Sequence, residues 1–112
     1  MARIHLGEFE ELVLLIVAAQ TGEAYGISVL NDLATEADRK VNISAVHAAL
    51  RRLEQKGFVE SAWSKATQAR GGRRKRLFSI TQKGEAALVQ IREIRNRIWG
   101  RLPDLGQNLG FS

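Results

Sequence analysis

The sequence predicts a mainly α-helical fold with one small β-hairpin, and three observations support this. Three segments have apolar residues at helical spacing, and an earlier segment is a continuous apolar run that opens with glutamates. Before the last helical segment lie two short β-type segments, separated by a basic run centred on two glycines. At 112 residues the chain has the length of one domain with a modest core, and it is small for a self-sufficient enzyme.

The first helix is predicted from near Gly7 to Gln20. Residues 12–19 are all apolar, and the glutamates just before them favour the N-terminus of a helix. The branched residues of this run leave a buried β-strand as the alternative. A helix that is apolar all round has to be covered all round, which a domain of this size can hardly do alone. This run is therefore the first indication of a second subunit.

The second helix is predicted from Tyr25 towards Asp38. Its apolar stripe consists of Ile27, Leu30, Leu33, Ala34 and Ala37. Its polar side consists of Asn31, Asp32, Glu36 and Asp38. A turn over residues 39–42 joins it to a third helix.

The third helix is predicted to begin at Ser44, whose hydroxyl suits an N-cap, and to end before Gly57. Its core stripe consists of Val46, Leu50 and Leu53. The opposite side consists of Ala48, Arg51, Arg52 and Gln55, flanked by Ala45 and His47. Small residues followed by long hydrogen-bond donors are typical of a helix that lies in a groove of DNA. A solvated surface helix with two ordinary arginines is the alternative for this segment alone.

A β-hairpin is predicted after the third helix, and it is strongly basic. Phe58-Val59 with Trp63 indicates one strand, Phe78 with Ile80 the other, and Gly71-Gly72 permits a tight tip. The basic residues around this tip are Lys65, Arg70, Arg73, Arg74, Lys75 and Arg76. Residues 61–84 hold seven basic and no acidic side chains, whereas residues 1–60 hold six basic and nine acidic ones, in a chain of net charge +5. A charge run is usually a solvated face, but this concentration favours a polyanionic partner.

The final helix is predicted to open near Thr81, with Gly84 as a weak point in its first turn, and to end by Gly100 or before Pro103. Its stripe consists of Ala87, Leu88, Ile91, Ile94, Ile98 and Trp99, and Arg95 interrupts it. Such a stripe has nothing left in its own domain to pack on, which predicts a two-fold homodimer. The predicted interface consists of Leu12, Leu15, Leu88, Ile91, Ile94, Ile98 and Trp99. The alternative is a helix that folds back on the first helix of its own chain.

Taken together, these elements predict a winged helix-turn-helix. We expect residues 1–81 to form the DNA-binding domain, residues 82–102 the C-terminal dimerisation helix and residues 103–112 a flexible tail.

Four motifs in register resemble the PadR family of bacterial transcriptional regulators. They are Tyr25-Gly26, Ser44 with residues 50–57, Gly72-Arg73-Arg74-Lys75 and Thr81-Gln82-Lys83-Gly84, and their order and spacing match from about Glu10 to Trp99. The length resembles the short subgroup, which has a single C-terminal helix for dimerisation. The resemblance implies a homodimeric repressor that binds a palindromic operator, with the recognition helix in the major groove and the wing on adjacent minor-groove backbone.

Two departures from the family pattern affect what this resemblance implies. His47 stands where the family usually has a tyrosine in the recognition helix, so the operator sequence does not transfer. Leu77-Phe78 replaces a common Tyr-Tyr pair in the second wing strand, which we interpret as a packing variation.

The leading hypothesis is therefore a sequence-specific binder of double-stranded DNA. We expect Arg51 and His47 to contact base edges, with Arg52 or Gln55 assisting, and Ser44 and Tyr25 to meet phosphate. The sequence-independent part of the affinity would come from Arg73, Arg74, Lys75 and Arg76. The competing hypothesis is a winged helix that binds protein or RNA. The third hypothesis is a regulator with a planar apolar effector at Trp99, because some PadR relatives are thought to bind flat apolar molecules at the dimer centre.

Other kinds of chemistry find little support in the sequence. The chain has no cysteine, which excludes disulfides and thiolate metal sites, and with His5 and His47 as its two histidines we expect no metal site. Ser44 and His47 lack an orienting acid at the right spacing, so we expect no enzyme activity and no cofactor. The apolar run of residues 12–19 is far shorter than the ~20 residues of a membrane span, and no positive segment precedes it. We expect a cytoplasmic protein with no membrane partner.

Overall fold

The computed structural model describes residues 6–65 and 74–103. In chain order its elements are α1 (Glu8–Ala19), α2 (Gly26–Glu36), α3 (Ile43–Gln55), β1 (Val59–Trp63), β2 (Arg76–Ile80) and α4 (Gln82–Trp99). The prediction of a mainly helical fold with one antiparallel hairpin is confirmed. The predicted tip at Gly71-Gly72 and residues 104–112 of the predicted tail lie outside the described residues.

Helices α1, α2 and α3 enclose the hydrophobic core. The side chains with no solvent exposure on these helices are Val13, Leu14, Val17, Val29, Leu33, Val46, Ala49, Leu50 and Leu53. Burying each large apolar side chain stabilises the fold by about 1.5–3 kcal/mol. The predicted stripe of α3 is confirmed, and only one side of the apolar helix α1 is covered, because Leu15 is 45% exposed. The apolar side of α3 is therefore fully buried, whereas part of the apolar surface of α1 is exposed.

The predicted apolar stripe of α2 is partly wrong. Val29 and Leu33 are fully buried, whereas Ile27 is exposed. The reason lies at Gly26, which is pressed against His47 of α3: a Cβ on this glycine would stand 2.6 Å from the imidazole Cε1. Because the helix turns its glycine towards α3, the next residue, Ile27, points outwards.

The start of α3 also differs from the prediction. Its N-cap is Asn42, whose Oδ1 accepts a hydrogen bond from the backbone N–H of Ala45 at 2.9 Å, and the helix begins at Ile43. Ser44 therefore lies in the first turn as an exposed residue and is not the cap. The end of the helix is as predicted, since Gly57 follows it with a φ of 81°.

The hairpin is anchored to the beginning of α2. Its register runs from Val59 opposite Ile80 to Trp63 opposite Arg76. The backbone N–H of Phe78 donates to the carbonyl oxygen of Ala24 at 2.7 Å, which adds an isolated bridge beside β2. Phe78 is buried, which agrees with the interpretation of Leu77-Phe78 as a packing variation.

Helix α4 opens at Thr81 as predicted, since the threonine Oγ1 accepts from the N–H of Gly84 at 3.1 Å. The same hydroxyl donates to the carbonyl oxygen of Gly57 at 2.7 Å. Gly84 lies in this first turn, where the sequence places it. This glycine is a close contact, because a Cβ on it would stand 2.2 Å from the carbonyl oxygen of Phe58. The first turn of α4 is thereby fixed against the start of the hairpin.

None of the helices in the described ranges is both long and apolar enough to cross a membrane.

Candidate nucleic-acid interface

The outward side of α3 presents the residues that the sequence assigned to DNA. We call this surface the α3 outer face, and it consists of Ser44, His47, Ala48, Arg51, Arg52 and Gln55. Ala48 is half-buried and the other five are exposed. On the opposite side, the buried stripe fixes the rotation of the helix, so these side chains stand away from the core.

The two arginines of the α3 outer face are in different electrostatic states. The Nε of Arg52 lies 3.2 Å from Oε2 of Glu10 on α1, and Nζ of Lys56 lies 2.6 Å from Oε1 of the same carboxylate. Arg51 makes no ion pair within residues 6–65 and 74–103. Of these two neighbouring arginines, Arg51 faces solvent and Arg52 is paired with Glu10 of α1.

Glu10 is ionised in this arrangement. Burial raises the pKa of its carboxyl, but the hydrogen bonds and charges of Lys56 and Arg52 outweigh burial, so the pKa lies below its ordinary value of 4.5. Its side chain is only 13% exposed, so water screens these ion pairs less than it screens surface pairs. The carboxylate therefore neutralises charge at the C-terminal end of α3.

The start of β2 and the two residues before it place cations beside α2 and α3. The Nζ of Lys75 stands 4.2 Å from the centre of the Tyr25 ring, and the guanidinium of Arg76 stands 5.6 Å from the Trp63 ring. Arg74, Lys75 and Arg76 are all exposed. Arg73, Arg70 and the tip of the wing lie outside the described residues.

A hydrogen-bonded link ties this strand to α3. Nε of Arg76 donates to the hydroxyl of Ser61 at 3.0 Å, and that hydroxyl donates to Glu54 at 2.7 Å. The guanidinium of Arg76 is also 3.7 Å from the Glu54 carboxylate. The orientation of the wing relative to the recognition helix is therefore fixed by side chains as well as by the core.

The start of α2 is held by its own polar contacts, which place Tyr25. The backbone N–H of Tyr25 donates to the hydroxyl of Ser28 at 2.9 Å, and this hydroxyl donates to the Gln20 side chain at 2.7 Å. Gln20 in turn donates to Asp32 at 2.8 Å. These contacts hold the backbone of Tyr25 at the junction of α1 and α2.

A pocket of about 190 Å³ lies where α2, α3 and β2 meet. It is lined by Tyr25, Gly26, Ile27, His47, Lys75, Arg76 and Phe78. Four residues that the sequence assigned to DNA thus meet around one cavity, although they lie far apart in the chain. Of the α3 outer face, His47 is the residue that lines this pocket.

Two glutamates that the sequence does not predict, Glu10 and Glu54, also belong to this surface. Both hold cations that belong to the candidate interface. Glu10 was interpreted only as a first-turn acid of a helix, because its partners lie 42 and 46 residues away. No local pattern could have indicated that pairing.

The residues predicted at the dimer interface divide into two groups. Leu12, Leu88 and Ile91 are half-buried, and the first two pack against the core of their own chain. The exposed members are Leu15, Ile94, Ile98 and Trp99. Arg95, which interrupts the stripe, donates to Glu11 of α1 at 2.9 Å. Helix α4 therefore does contact α1, but its last two turns leave apolar surface uncovered.

A family model matches most of this chain. The model of the transcriptional regulator PadR-like family covers residues 13–90, which include the second half of α1, the helix-turn-helix, the hairpin and the first half of α4. The chain belongs to the PadR-like family of transcriptional regulators. No curated protein sequence matches it.

Several solved structures are similar to this PadR-like chain. A PadR-like transcription factor from Bacteroides fragilis superposes with a TM-score of 0.68 at 22% identity, covering 80% of this chain and 82% of that one. A PadR family regulator from Clostridium difficile R20291 has a TM-score of 0.63 at 22% identity, covering 92% of this chain and 98% of that one. These likenesses confirm the winged-helix fold.

A third similar structure contains nucleic acid. Bacillus subtilis PadR, solved in complex with operator DNA, matches with a TM-score of 0.62 at 16% identity over 74% of this chain. The match covers 45% of that protein, so this PadR-like chain spans less than half its length.

Proposed function

We propose that this PadR-like regulator acts in the cytoplasm as a homodimeric repressor that binds a palindromic DNA operator. The observation that supports this best is the pocket that brings His47 of the α3 outer face together with Tyr25, Lys75 and Arg76. An exposed helix with free hydrogen-bond donors beside a basic hairpin matches what major-groove recognition and backbone contact require. The DNA complex of Bacillus subtilis PadR supports the same function by likeness of fold.

Each part of the surface has a role in this proposal. Arg51 and His47 contact base edges, and Gln55 assists them, since all three are exposed on the α3 outer face. Ser44 and Tyr25 meet phosphate near the starts of α3 and α2. The sequence-independent attraction comes from Arg73, Arg74, Lys75 and Arg76, of which the last three are described and exposed. Arg52 is not assigned to a base, because Glu10 holds it.

The dimer is proposed on the uncovered apolar surface of α4 and α1. Ile94, Ile98 and Trp99 are 42%, 52% and 63% exposed, which is unusual for adjacent large apolar residues on one helix. A second copy related by a two-fold axis would cover both stripes at once. We therefore propose that residues 1–81 bind DNA and residues 82–102 dimerise, with the two recognition helices about 34 Å apart, one turn of B-DNA.

DNA binding is tested with the purified protein and a labelled duplex from its own upstream region. Fluorescence anisotropy should show binding that weakens steeply with salt, because phosphate contacts release counterions. A scrambled duplex should bind more weakly, and single-stranded DNA or RNA of the same length should bind little. Tight binding to single strands, or to no duplex in dilute buffer, would favour the module that binds RNA or protein.

Arg51→Ala is the sharpest single variant for this function. Its exposed side chain has no ion pair in the described ranges, so its removal should cost about 1–3 kcal/mol of binding and relax selectivity at one base position. Competition with single-base operator variants measures both effects. An equal loss on every duplex would instead make Arg51 a phosphate contact.

A planar apolar effector at the dimer centre is a second proposal, supported by the exposure of Trp99 at the end of α4. The chain has two tryptophans, so Trp63→Phe leaves Trp99 as the single fluorescent reporter. Saturable quenching of this variant by planar aromatic compounds, with weaker DNA binding, is the expected result. Quenching without any change in DNA binding would contradict an effector role.

A further inference from the structure

The first turn of α1 has three glutamates, and each one pairs with a different part of the chain. Glu8 pairs with Arg39 in the turn before α3, at 2.6 Å. Glu11 pairs with Arg95 on α4, at 2.9 Å. Glu10 is the one that pairs with the recognition helix, and it holds two cations at once.

The Glu10 contacts have a specific geometry. Arg52 and Lys56 are four residues apart, so they lie on neighbouring turns of the same side of α3. One carboxylate oxygen faces each of them, at 3.2 Å from the Arg52 Nε and 2.6 Å from the Lys56 Nζ. Hydrogen bonds in which both partners are charged are among the stronger ones. Glu10 therefore holds these two side chains against α1 in the free protein.

Both cations nevertheless lie at the protein surface. The side chain of Arg52 is 48% exposed and that of Lys56 is 35% exposed, whereas Glu10 is 13% exposed. Arg52 is the direct neighbour of Arg51, and both are on the side of α3 away from the core stripe. If the carboxylate lost its charge, the Arg52 side chain could turn outwards beside Arg51. The recognition helix would then offer one more cation to a DNA backbone.

We propose that Glu10 is a specificity-determining residue that limits how strongly the recognition helix binds any duplex. By pairing with Arg52 and Lys56, it leaves Arg51 as the arginine available to bases and keeps sequence-independent attraction low. This inference rests on the proposed binding of duplex DNA. It concerns the pairing between α1 and α3, which the family match does not assign.

The test is Glu10→Gln, which keeps the shape of the side chain and removes its charge. Affinity for a scrambled duplex should rise about 10-fold at roughly 100 mM salt, and the slope of log affinity against log salt should steepen by about one unit. A gain of affinity is informative because a misfolded variant would bind less. A thermal melt of the same sample checks that the fold is kept.

Glu8→Gln is the matched control. It changes the net charge by the same amount and on the same helix turn, but it releases Arg39, whose guanidinium still lies 5.6 Å from the Phe9 ring. We expect this variant to change the salt slope by less than about half a unit. An equal gain from both variants would mean that net charge alone acts, and it would overturn the inference.

Adding Arg52→Ala to Glu10→Gln identifies the released side chain. This double variant should return the affinity for scrambled duplex most of the way towards wild type. Unchanged or weaker binding by Glu10→Gln, when the wild-type protein binds duplex, would overturn this inference and leave the proposed function standing. A wild-type protein that binds no duplex would overturn both.

Discussion

Helices α3 and α4 each have an apolar stripe, but only the stripe of α3 is covered within the chain. Val46, Leu50 and Leu53 of α3 have no solvent exposure, while Ile98 and Trp99 of α4 are more than half exposed. Helix α3 packs against α1, α2 and β1, whereas the main contacts of α4 are with α1 and β2. A helix whose apolar side is fully covered can offer its other side to a partner. The open stripe of α4 is the surface that the proposed homodimer would cover.

The largest expected effect tests the open stripe of α4. Ile98→Asp should raise the dissociation constant of the homodimer at least about 100-fold, because a two-fold interface loses two buried side chains worth about 3–6 kcal/mol together. Sedimentation velocity over a range of protein concentrations measures this change.

Ile27→Asp is the control for that variant, since Ile27 is 47% exposed, close to the 52% of Ile98, but lies on α2. It should leave the dimer unchanged. A monomer already present in the wild-type protein at micromolar concentration would contradict the proposed interface.

The opposite end of α4 should be intolerant of even one methyl group. Gly84→Ala should lower the free energy of unfolding by about 1–3 kcal/mol, because the added Cβ would stand 2.2 Å from the Phe58 carbonyl oxygen. This sign is the reverse of the gain of about 1 kcal/mol that alanine usually gives over glycine in a helix. Urea denaturation measures it.

Gly100→Ala provides the comparison at the other end of the helix. A Cβ there would stand 3.4 Å from the Asn96 carbonyl oxygen, in ordinary contact, so the change should stay within about 0.5 kcal/mol. Equal effects of the two alanines would show that the start of α4 is not fixed against the hairpin.

A smaller effect distinguishes the two candidate caps of α3. Asn42→Ala should cost about 1 kcal/mol of unfolding free energy, because it removes the acceptor of the Ala45 N–H. Ser44→Ala should cost less than about 0.5 kcal/mol, since Ser44 is exposed within the first turn. The two variants are compared by thermal denaturation. A larger loss of unfolding free energy for Ser44→Ala than for Asn42→Ala would show that Ser44 is the N-cap, as the sequence predicted.

The smallest effect concerns pH and Glu10. Because its pKa in the folded protein is lower than its ordinary value of 4.5, Glu10 stabilises the fold above that pH and loses this contribution as the pH falls through the folded pKa. The difference in unfolding free energy between wild type and Glu10→Gln should therefore shrink as the pH falls from neutral through the folded pKa of Glu10. A difference that is constant over this range would mean that the carboxylate contributes no charge-dependent stability.

Much of the fold could be predicted from sequence because its signals are local. The stripe of α3, the Thr81 cap of α4 and the residue types of the two strands are each encoded within a few neighbouring positions. The predicted cap at Ser44 was wrong because Asn42, two residues earlier, is also a good cap residue.

The features that could not be predicted depend on contacts between distant residues. The exposure of Ile27 follows from the fit of Gly26 against His47, and the role of Gly84 follows from its contact with Phe58. Arg95 was interpreted as an interruption of the dimer stripe, and its partner Glu11 lies 84 residues away. The same holds for Glu10 and its two cations. In this chain the elements were predictable, and the pairing of charges between them was not.

The most direct test of the account is the stoichiometry and half-site spacing of the DNA complex. On a dyad identified by footprinting its own upstream DNA, sedimentation should show two chains on each duplex. Binding should be tight when the half-sites are one helical turn apart, about 10 base pairs, and should be lost when about five base pairs are inserted between them. One chain per duplex, or equal affinity at both spacings, would contradict a dimer that presents two recognition helices to one side of DNA.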